Sequence, residues 1–220
     1  MKVVIFDLDG TLIDSAPDIH AASEKMLKGI GQLPLPFDTI KSFIGNGIPK
    51  LVERIMRQLQ LGEAYNHAEL VQIFLDHYNA APADKTVIYP NVVPVLKELQ
   101  SQGVILGICT NKPEQPTRTI LSMFQLDQFF DVIVGGDTMP VKKPDPEPLH
   151  HAFRTLNASQ MLYVGDSEVD AETAQSAQVT FALYTEGYRK SEIADIPHSY
   201  LFSDFSELPS IVGQVMANPT

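Results

Sequence analysis

The chain begins with one short apolar run, and a long segment of helical periodicity follows it. Val3–Phe6 is an uninterrupted apolar stretch, which is typical of a buried strand. Across residues 15–83 the apolar positions recur only at helical spacing, with interruptions at 33–36, 45–47 and 61–62. This segment is therefore predicted to be a small unit made only of helices.

The pattern changes after Pro82, where short apolar runs alternate with amphipathic segments. Such alternation predicts a parallel sheet that is covered by helices on both faces. Because the first strand precedes the helical segment, we interpret residues 15–83 as an all-helical cap inserted into an α/β, Rossmann-like core of residues 1–14 and 84–220. The predicted core strands lie at 104–109, 132–134, 161–164 and 179–183, and the predicted core helices lie near 91–101, 114–124, 147–156 and 170–177.

Two carboxylates end the first strand. Asp7 and Asp9 stand two positions apart, so in an extended segment they project to the same face. At ~4 Å and an effective dielectric of about 20, their repulsion costs about 4 kcal/mol. Asp9 and Gly10 alone are compatible with a hairpin turn, but Ser15 and Asp18 have the spacing of a helix N-cap and predict a helix instead. A divalent cation with oxygen ligands would relieve the crowding.

Further polar side chains follow the other predicted core strands. Thr110 and Asn111 follow the second strand, Asp166 and Asp170 follow the fourth, and Lys143 lies between these two strands in the chain. In open parallel sheets, ligands bind beyond the carboxyl ends of the strands. Together with the aspartate pair, this set suits a phosphate that Mg²⁺ bridges to the carboxylates, since carboxylates alone would repel it.

Composition narrows the partners. The chain has 220 residues, 44% of them hydrophobic, and a formal net charge of -11, which argues against nucleic acid and anionic membranes. A small phosphorylated ligand stays possible, because charges beyond a Debye length of ~8 Å are largely screened. The single cysteine, Cys109, excludes an internal disulfide and fits a reducing compartment. We expect a cytoplasmic protein, monomeric or homodimeric, with no long apolar segment.

Four segments, in this order, resemble the motifs of the haloacid-dehalogenase superfamily. They are DLDGT at 7–11, ICTNK at 108–112, KKPDPEP at 142–148 and VGDSEVD at 164–170. Within the superfamily, DSAPD, FIGNGIPKLVERI and GDTMPVKKPDPEPL look like the phosphoglycolate phosphatase branch with a helical cap. The resemblance implies a Mg²⁺-dependent phosphatase that acts on a small phosphorylated metabolite, most readily 2-phosphoglycolate.

The resemblance also implies roles for the reacting residues. Asp7 would be the nucleophile that becomes an aspartyl-phosphate, and Asp9 would protonate the leaving alkoxide and then deprotonate water. A covalent route suits phosphomonoesters, for which accelerations up to ~10²¹-fold are needed. Thr110, with Asn111 beside it, and Lys143 would hold the phosphoryl oxygens.

The same resemblance supplies a set of metal ligands. Mg²⁺ would be held by the side chains of Asp7 and Asp166 and by the backbone carbonyl of Asp9. Asp170 would be a further ligand or would lie behind the ligands and contact them. Without the resemblance, the acidic residues after the fourth strand are equally compatible with a helix N-terminus that the helix dipole stabilises.

Selectivity would come from the cap. Gly45, Asn46 and Gly47 are expected to form a hinge or a loop that contacts substrate, since glycine permits positive φ and close approach. Lys50 and Arg54 nearby could face a carboxylate two carbons from the phosphate, although both are equally compatible with surface charges.

Two other functions stay open. His20, at the start of the cap, stands where sugar phosphomutases of the β-phosphoglucomutase type resemble one another in carrying a histidine, so a mutase is one alternative. A non-catalytic phospho-receiver module is the other, since it also gathers aspartates, a hydroxyl, a lysine and Mg²⁺ at strand ends. Its acidic pair and phospho-acceptor lie on different strands, however, and it lacks a helical insertion.

Overall fold

A parallel β-sheet forms the centre of the core. The computed structural model describes residues 1–217, apart from the side chain of Glu63. Within these residues, six strands are arranged in the order β5-β4-β1-β6-β7-β8, and all neighbouring pairs are parallel. The strands in chain order are β1 (Lys2–Phe6), β2 (Ile13–Asp14), β3 (Val87–Ile88), β4 (Ile105–Cys109), β5 (Val132–Val134), β6 (Gln160–Gly165), β7 (Thr180–Tyr184) and β8 (Tyr200–Phe202).

Helices cover both faces of this sheet, as the alternating pattern predicts. Along β1, Val4 and Phe6 pack into one hydrophobic cluster, whereas Val3 and Ile5 pack into a second cluster on the opposite face. The predicted α/β class is therefore confirmed. The core helices are α5 (Val92–Ser101), α6 (Glu114–Met123), α7 (Glu147–Thr155), α8 (Glu168–Ala177) and α9 (Leu208–Ala217).

The segment between β2 and β3 is helical. Its helices are α1 (Ala16–Gly29), α2 (Phe37–Phe43), α3 (Ile48–Gln58) and α4 (His67–Asn79), with a 3₁₀ turn at Gly62–Ala64. Their apolar stripes meet inside the cap, where Met26, Ile55 and Phe74 are fully buried. Burying such a side chain contributes about 1.5–3 kcal/mol, so this interior holds the cap together. None of the helices in residues 1–217 has the length and apolar character needed to cross a bilayer.

Two short connections join the cap to the core. Strands β2 and β3 pair antiparallel, and the carboxylate of Asp18 accepts hydrogen bonds from Lys85 N, Thr86 N and Thr86 Oγ1, the last at 2.6 Å. The predicted helix start is confirmed, and Ser15 is the N-cap residue of α1 by position. No side-chain hydrogen bond caps the helix, because both side chains have tertiary partners: Asp18 binds residues 85–86, and the Ser15 hydroxyl donates to Asp9 at 2.5 Å.

The register of the sheet sets the position of the site. Phe6 at the end of β1 is opposite Ile108 of β4 and Val164 of β6. The residues that follow these three strands consequently meet at one edge of the sheet. This edge is where the polar segments were predicted to gather.

Candidate active site

A tight loop after β1 presents the first aspartate pair. Asp7 N still donates to Val164 O at 2.9 Å, and the chain then turns with Gly10 at φ +89°. A Cβ on Gly10 would lie 2.4 Å from Asp166 Oδ2, so glycine is needed both for the turn and for the approach of this carboxylate. The loop thereby brings the end of β1 against the end of β6.

The carboxylate of Asp166 is fixed through both of its oxygens. Thr11 Oγ1 donates to one oxygen at 2.8 Å, and Tyr188 N donates to the other at 2.6 Å. Burial, reinforced by the charges of Asp170 and Asp7, raises the pKa of Asp166 well above its usual range, despite these hydrogen bonds. A positive charge is the natural counterpart of such a group.

Lys143 lies among the buried acids. Its Nζ is 2.6 Å from Asp170 Oδ1, 2.8 Å from Tyr163 OH and 3.0 Å from Asp7 Oδ1. Burial alone would lower the pKa of Lys143, but Asp170 and Asp7 outweigh it and raise the pKa. The lysine is therefore a permanent cation beneath the site.

The nucleophile candidate, Asp7, has an unusual pKa. Burial raises the pKa of Asp7 to about 6, Lys143 lowers it in part, and the charge of Asp170 raises it further. Asp7 Oδ1 lies near Lys143 without an aligned hydrogen bond, so this buried oxygen keeps its capacity to accept. The carboxylate of Asp7 thus lies near the negative charge of Asp170, and its Oδ1 accepts no hydrogen bond.

Asp170 is already saturated with protein donors. Its Oδ1 accepts from Lys143 and from Tyr163 OH at 2.7 Å, and its Oδ2 accepts from Ser167 Oγ at 2.7 Å and Ser167 N at 3.1 Å. Burial raises the pKa of Asp170, but Lys143 and these hydrogen bonds more than offset it, so the pKa is lowered. Asp170 was expected either to bind the metal directly or to lie behind the residues that do. Because both of its oxygens already accept hydrogen bonds, this geometry favours the second role.

A metal ion fits this group of carboxylates. Oxygens of Asp7, Asp166 and Asp170 all lie within 4.8 Å of one another, and all three residues are buried. Hard oxygen donors of this kind suit Mg²⁺, and Oδ1 of Asp7, which lies beside Lys143 but accepts no hydrogen bond, has lone pairs to offer an ion. Asp7 and Asp166 would hold such an ion, and its charge would neutralise the acids and draw in phosphate.

The residues after β4 line the same cavity. Thr110 N continues the sheet by donating to Val134 O at 3.0 Å, and Thr110 is buried at the cavity wall. Asn111 also lines the cavity, but its Nδ2 donates to Gly45 O and to Lys143 O, each at 3.0 Å. The amide therefore holds the cap loop and the lysine segment together instead of extending freely toward a ligand.

The cap loop at 45–47 closes over the site. Gly45 and Gly47, both at positive φ, line the cavity. Asn46 does not line it, because its Oδ1 accepts from Arg54 at 2.7 Å and its carbonyl accepts from Lys142 Nζ at 3.0 Å. Of the three predicted contact residues in the loop, the structure brings the two glycines to the cavity.

Sequence reasoning did not assign a role to Lys112. Its Nζ lies 3.2 Å from each carboxylate oxygen of Asp9 and donates to Tyr78 OH of the cap at 2.7 Å. The only feature of the sequence that pointed to Lys112 was its position next to Thr110 and Asn111. No feature of the sequence pointed to Tyr78 or Tyr163, because an isolated tyrosine in an apolar helix or strand has no distinctive pattern.

His20 lies away from the cavity. Its Nε2 is 3.0 Å from Leu35 O, and its ring contacts Phe37 edge to face, with the centroids 5.5 Å apart. The neighbouring Ile19 is the residue of α1 that lines the cavity. The feature that had suggested a mutase is therefore part of the cap's own packing.

This fold and site belong to a known family. The haloacid dehalogenase-like hydrolase family matches residues 4–184. A phosphoglycolate phosphatase of Cereibacter sphaeroides is 47% identical over 218 residues, which cover 99% of this chain and 100% of that protein. A phosphoglycolate phosphatase of Psychrobacter arcticus is 39% identical over 217 residues, covering 94% of each chain.

A solved structure agrees with these relatives. The crystal structure of a predicted phosphoglycolate phosphatase from Haemophilus somnus 129pt has a TM-score of 0.90 at 31% identity, covering 96% of this chain and 97% of that one. The chain is therefore a member of the haloacid dehalogenase-like hydrolases. Within that family it is a phosphoric monoester hydrolase.

Proposed function

We propose that this enzyme is a Mg²⁺-dependent phosphatase that hydrolyses 2-phosphoglycolate through an aspartyl-phosphate on Asp7. The observation that carries the proposal is the group of buried carboxylates beside Lys143, of which Asp7 lines a small cavity that the cap covers. The full-length similarity to phosphoglycolate phosphatases supports the choice of substrate.

The chemistry assigns one step to each reactive residue. An oxygen of Asp7 attacks phosphorus, and the bond to the leaving oxygen breaks with its electron pair while Asp9 donates a proton to that oxygen. Asp9 then takes a proton from water, the water oxygen attacks phosphorus, and the bond to Asp7 breaks. Thr110 and Lys143 stabilise charge on the phosphoryl oxygens. Bound Mg²⁺ would supply positive charge that offsets the repulsion between phosphate and Asp7.

The lining of the cavity favours a leaving group with few hydroxyls. The cap contributes aliphatic side chains, two glycines and one hydroxyl, that of Tyr78, so the several hydroxyls of a hexose would lose their hydration there without finding partners. A phosphatase with residues 15–83 as a closing cap is therefore preferred over the mutase, in agreement with the position of His20.

The placement of the protein in the cell follows the same proposal. Cys109 is buried, and burial raises the pKa of its thiol to about 12, so it is inert at neutral pH. A cytoplasmic enzyme with a small phosphorylated metabolite as its partner is consistent with a chain that carries no disulfide pair.

The test is a direct assay of two substrates. Purified protein is incubated with 2-phosphoglycolate, with and without Mg²⁺ and after chelation, and release of inorganic phosphate is measured. Borohydride reduction during turnover, followed by peptide mass analysis, should locate the acyl phosphate at Asp7. We expect Mg²⁺-dependent release. Conversion of β-glucose 1-phosphate, with a trace of the bisphosphate, to glucose 6-phosphate at a higher kcat/KM would contradict the proposal.

A further inference from the structure

Lys112 faces the cavity but has no part in the chemistry proposed above. Its side chain is only 6% exposed, and it lines the cavity together with Asp7 and Asp9. Lys143 does not line the cavity, and within residues 1–217 Lys112 is the one cationic side chain that does. Any anionic group on the leaving group must therefore find its positive partner here.

The cap wall opposite Lys112 is apolar, with a single hydroxyl. A carboxylate placed against that wall would lose its hydration without gaining a partner, unless it reaches the hydroxyl of Tyr78. The aliphatic side chains that the cap contributes are those of Ile19, Ile44, Ile48, Leu51 and Leu75.

Lys50 and Arg54, the two cap cations that the sequence suggested as partners of a substrate carboxylate, do not serve that role. Lys50 Nζ lies 2.8 Å from both carboxylate oxygens of Glu53. Arg54 donates to Phe43 O and to Asn46 Oδ1, each at 2.7 Å. Neither residue lines the cavity, because both are used to hold the surface and the loop of the cap.

Lys112 and Tyr78 retain hydrogen-bonding capacity. The three N–H donors of Lys112 face three acceptor atoms, the two oxygens of Asp9 at 3.2 Å and the hydroxyl oxygen of Tyr78 at 2.7 Å. The two contacts with Asp9 are long, so a second carboxylate can replace Asp9 at one of these donors while the other still holds Asp9. The Tyr78 oxygen accepts from Lys112, and its own O–H has no acceptor among the described residues, so this hydroxyl can donate to the same carboxylate.

We propose that Lys112 and the Tyr78 hydroxyl together bind a carboxylate on the leaving group, so that the substrate class is a phosphomonoester with a carboxylate close to its ester oxygen. This assignment rests on the proposed phosphatase function. Because Lys112 also contacts Asp9, the carboxylate lies beside the oxygen that Asp9 protonates, which requires a short link between them. Since Tyr78 belongs to the cap, the subsite is complete only with the cap closed.

The first test compares two substrates that differ only in the carboxylate. The enzyme with Mg²⁺ is assayed on 2-phosphoglycolate and on 2-hydroxyethyl phosphate, in the wild type and in Lys112→Met, Tyr78→Phe and Lys50→Met. We expect Lys112→Met to lower kcat/KM for 2-phosphoglycolate on the order of 100-fold more than for the neutral analogue. Tyr78→Phe should lower the preference about tenfold. Lys50→Met, the matched control, should leave the preference unchanged.

The outcomes separate the possible failures. If Lys112→Met lowers kcat/KM equally for both substrates, Lys112 acts only through Asp9 and the carboxylate site is overturned. If the wild type hydrolyses both substrates equally well, the phosphatase stands and the carboxylate site falls. If the wild type hydrolyses neither, the proposed function itself fails, and this inference fails with it.

A binding measurement removes the role of Asp9 as an acid. Calorimetry with Mg²⁺ present compares 3-phosphonopropionate with propylphosphonate, which have no ester oxygen to protonate. The wild type should prefer the carboxylated probe, and both Lys112→Met and Tyr78→Phe should reduce that preference. Where Lys112→Met fails to fold, as judged by its thermal melt, Tyr78→Phe decides the matter, and an unchanged preference in that variant overturns the inference.

Discussion

The floor and the roof of the cavity are built on different principles. The floor, from the core, is polar and rests on buried charges that hold one another beneath it, such as Lys143 between Asp7 and Asp170. The roof, from the cap, consists of aliphatic side chains and two glycines, with Tyr78 at its edge. The difference separates the two tasks of the enzyme, since the charged floor acts on the phosphoryl group and the roof excludes water and selects by shape. Lys112 and Tyr78 meet where the two surfaces join.

The core also determines where the cap loop lies. Three core side chains donate to backbone carbonyls of this loop and of the residue before it: Asn111 to Gly45, Lys142 to Asn46, and Lys190 to Ile44. Because these contacts are made to backbone atoms, they do not depend on the loop's own side chains. The cap contributes the apolar wall, and the core supplies the donors that close it.

The largest expected effect comes from the floor. Asp7→Asn should abolish measurable turnover, because an amide is neither an anionic nucleophile nor a good Mg²⁺ ligand. Without metal, the variant should be at least as stable to heat as the wild type, since burial already disfavours the ionised form of Asp7, whose pKa is raised to about 6. Phosphate release and thermal melts measure the two effects. Asp131→Asn, at an exposed aspartate of the core, is the matched control.

A result of the opposite kind would break the assignment of roles. Turnover by Asp7→Asn at the rate of Asp131→Asn would mean that another group takes the phosphoryl. A large loss of stability in Asp7→Asn would mean that the ionised carboxylate stabilises the fold, whereas we expect its burial to destabilise it.

The second effect concerns stability. Lys143→Met removes the cation that Asp7 and Asp170 share and leaves both carboxylates buried without it, which should lower the free energy of unfolding by about 3–5 kcal/mol. Urea unfolding measures this change, with Lys97→Met at an exposed helix position as control. A loss below about 1 kcal/mol, like that of ordinary surface changes, would show that the floor is not held by its charges.

The third effect links pH to the metal. The pKa of Asp7 rises from 3.8 to about 6 on folding, so between these values the folded protein binds more protons than the unfolded chain. Stability of the metal-free protein attributable to this group therefore falls as pH rises from 3.8 to about 6.

Mg²⁺ should reverse that loss, because the ion replaces the proton as the partner of the carboxylates. At about 100 times its Kd it should stabilise the protein by about 2.7 kcal/mol. The rise in Tm should be larger at about pH 7.5 than at about pH 5, where protons compete for Asp7. Sodium chloride of equal ionic strength is the control. An equal rise at both pH values would contradict a metal held by these acids.

The strand ends were predictable, and with them most of the floor. The strands β1, β4, β5, β6 and β7 were each visible as an apolar run, and the parallel register then required Asp7, Thr110 and Asp166 to share an edge. The contact of Lys112 with Tyr78 was not predictable, because it joins a residue that follows β4 to one in helix α4, 34 positions away, and depends on how this helix lies on the sheet. The same holds for Tyr188, whose hydroxyl accepts hydrogen bonds from Ser15 N and Ala16 N at the start of the cap.

The carboxyl-terminal elements were missed for local reasons. Strand β8 has only three residues and, unlike the equally short β5, contains no β-branched residue, so no strand signal stands out. Helix α9 contains Gly213 in its middle, which reduces the helical expectation from sequence, although Pro209 suits a first turn. In each case packing against the rest of the core decides the structure.

The smallest expected effect comes from comparing two neighbouring residues of the cap. His20 and Ile19 are adjacent on α1, but Ile19 lines the cavity while the His20 ring lies against Leu35 and Phe37. His20→Ala should therefore leave kcat unchanged within about twofold. Its stability should fall by about 0.5–1.5 kcal/mol, the contribution of one hydrogen bond. Ile19→Ala should instead lower kcat/KM about tenfold, because it removes part of the apolar wall. If His20→Ala abolished conversion of β-glucose 1-phosphate while Ile19→Ala did not, the histidine would serve a mutase and the roof would take part in the chemistry.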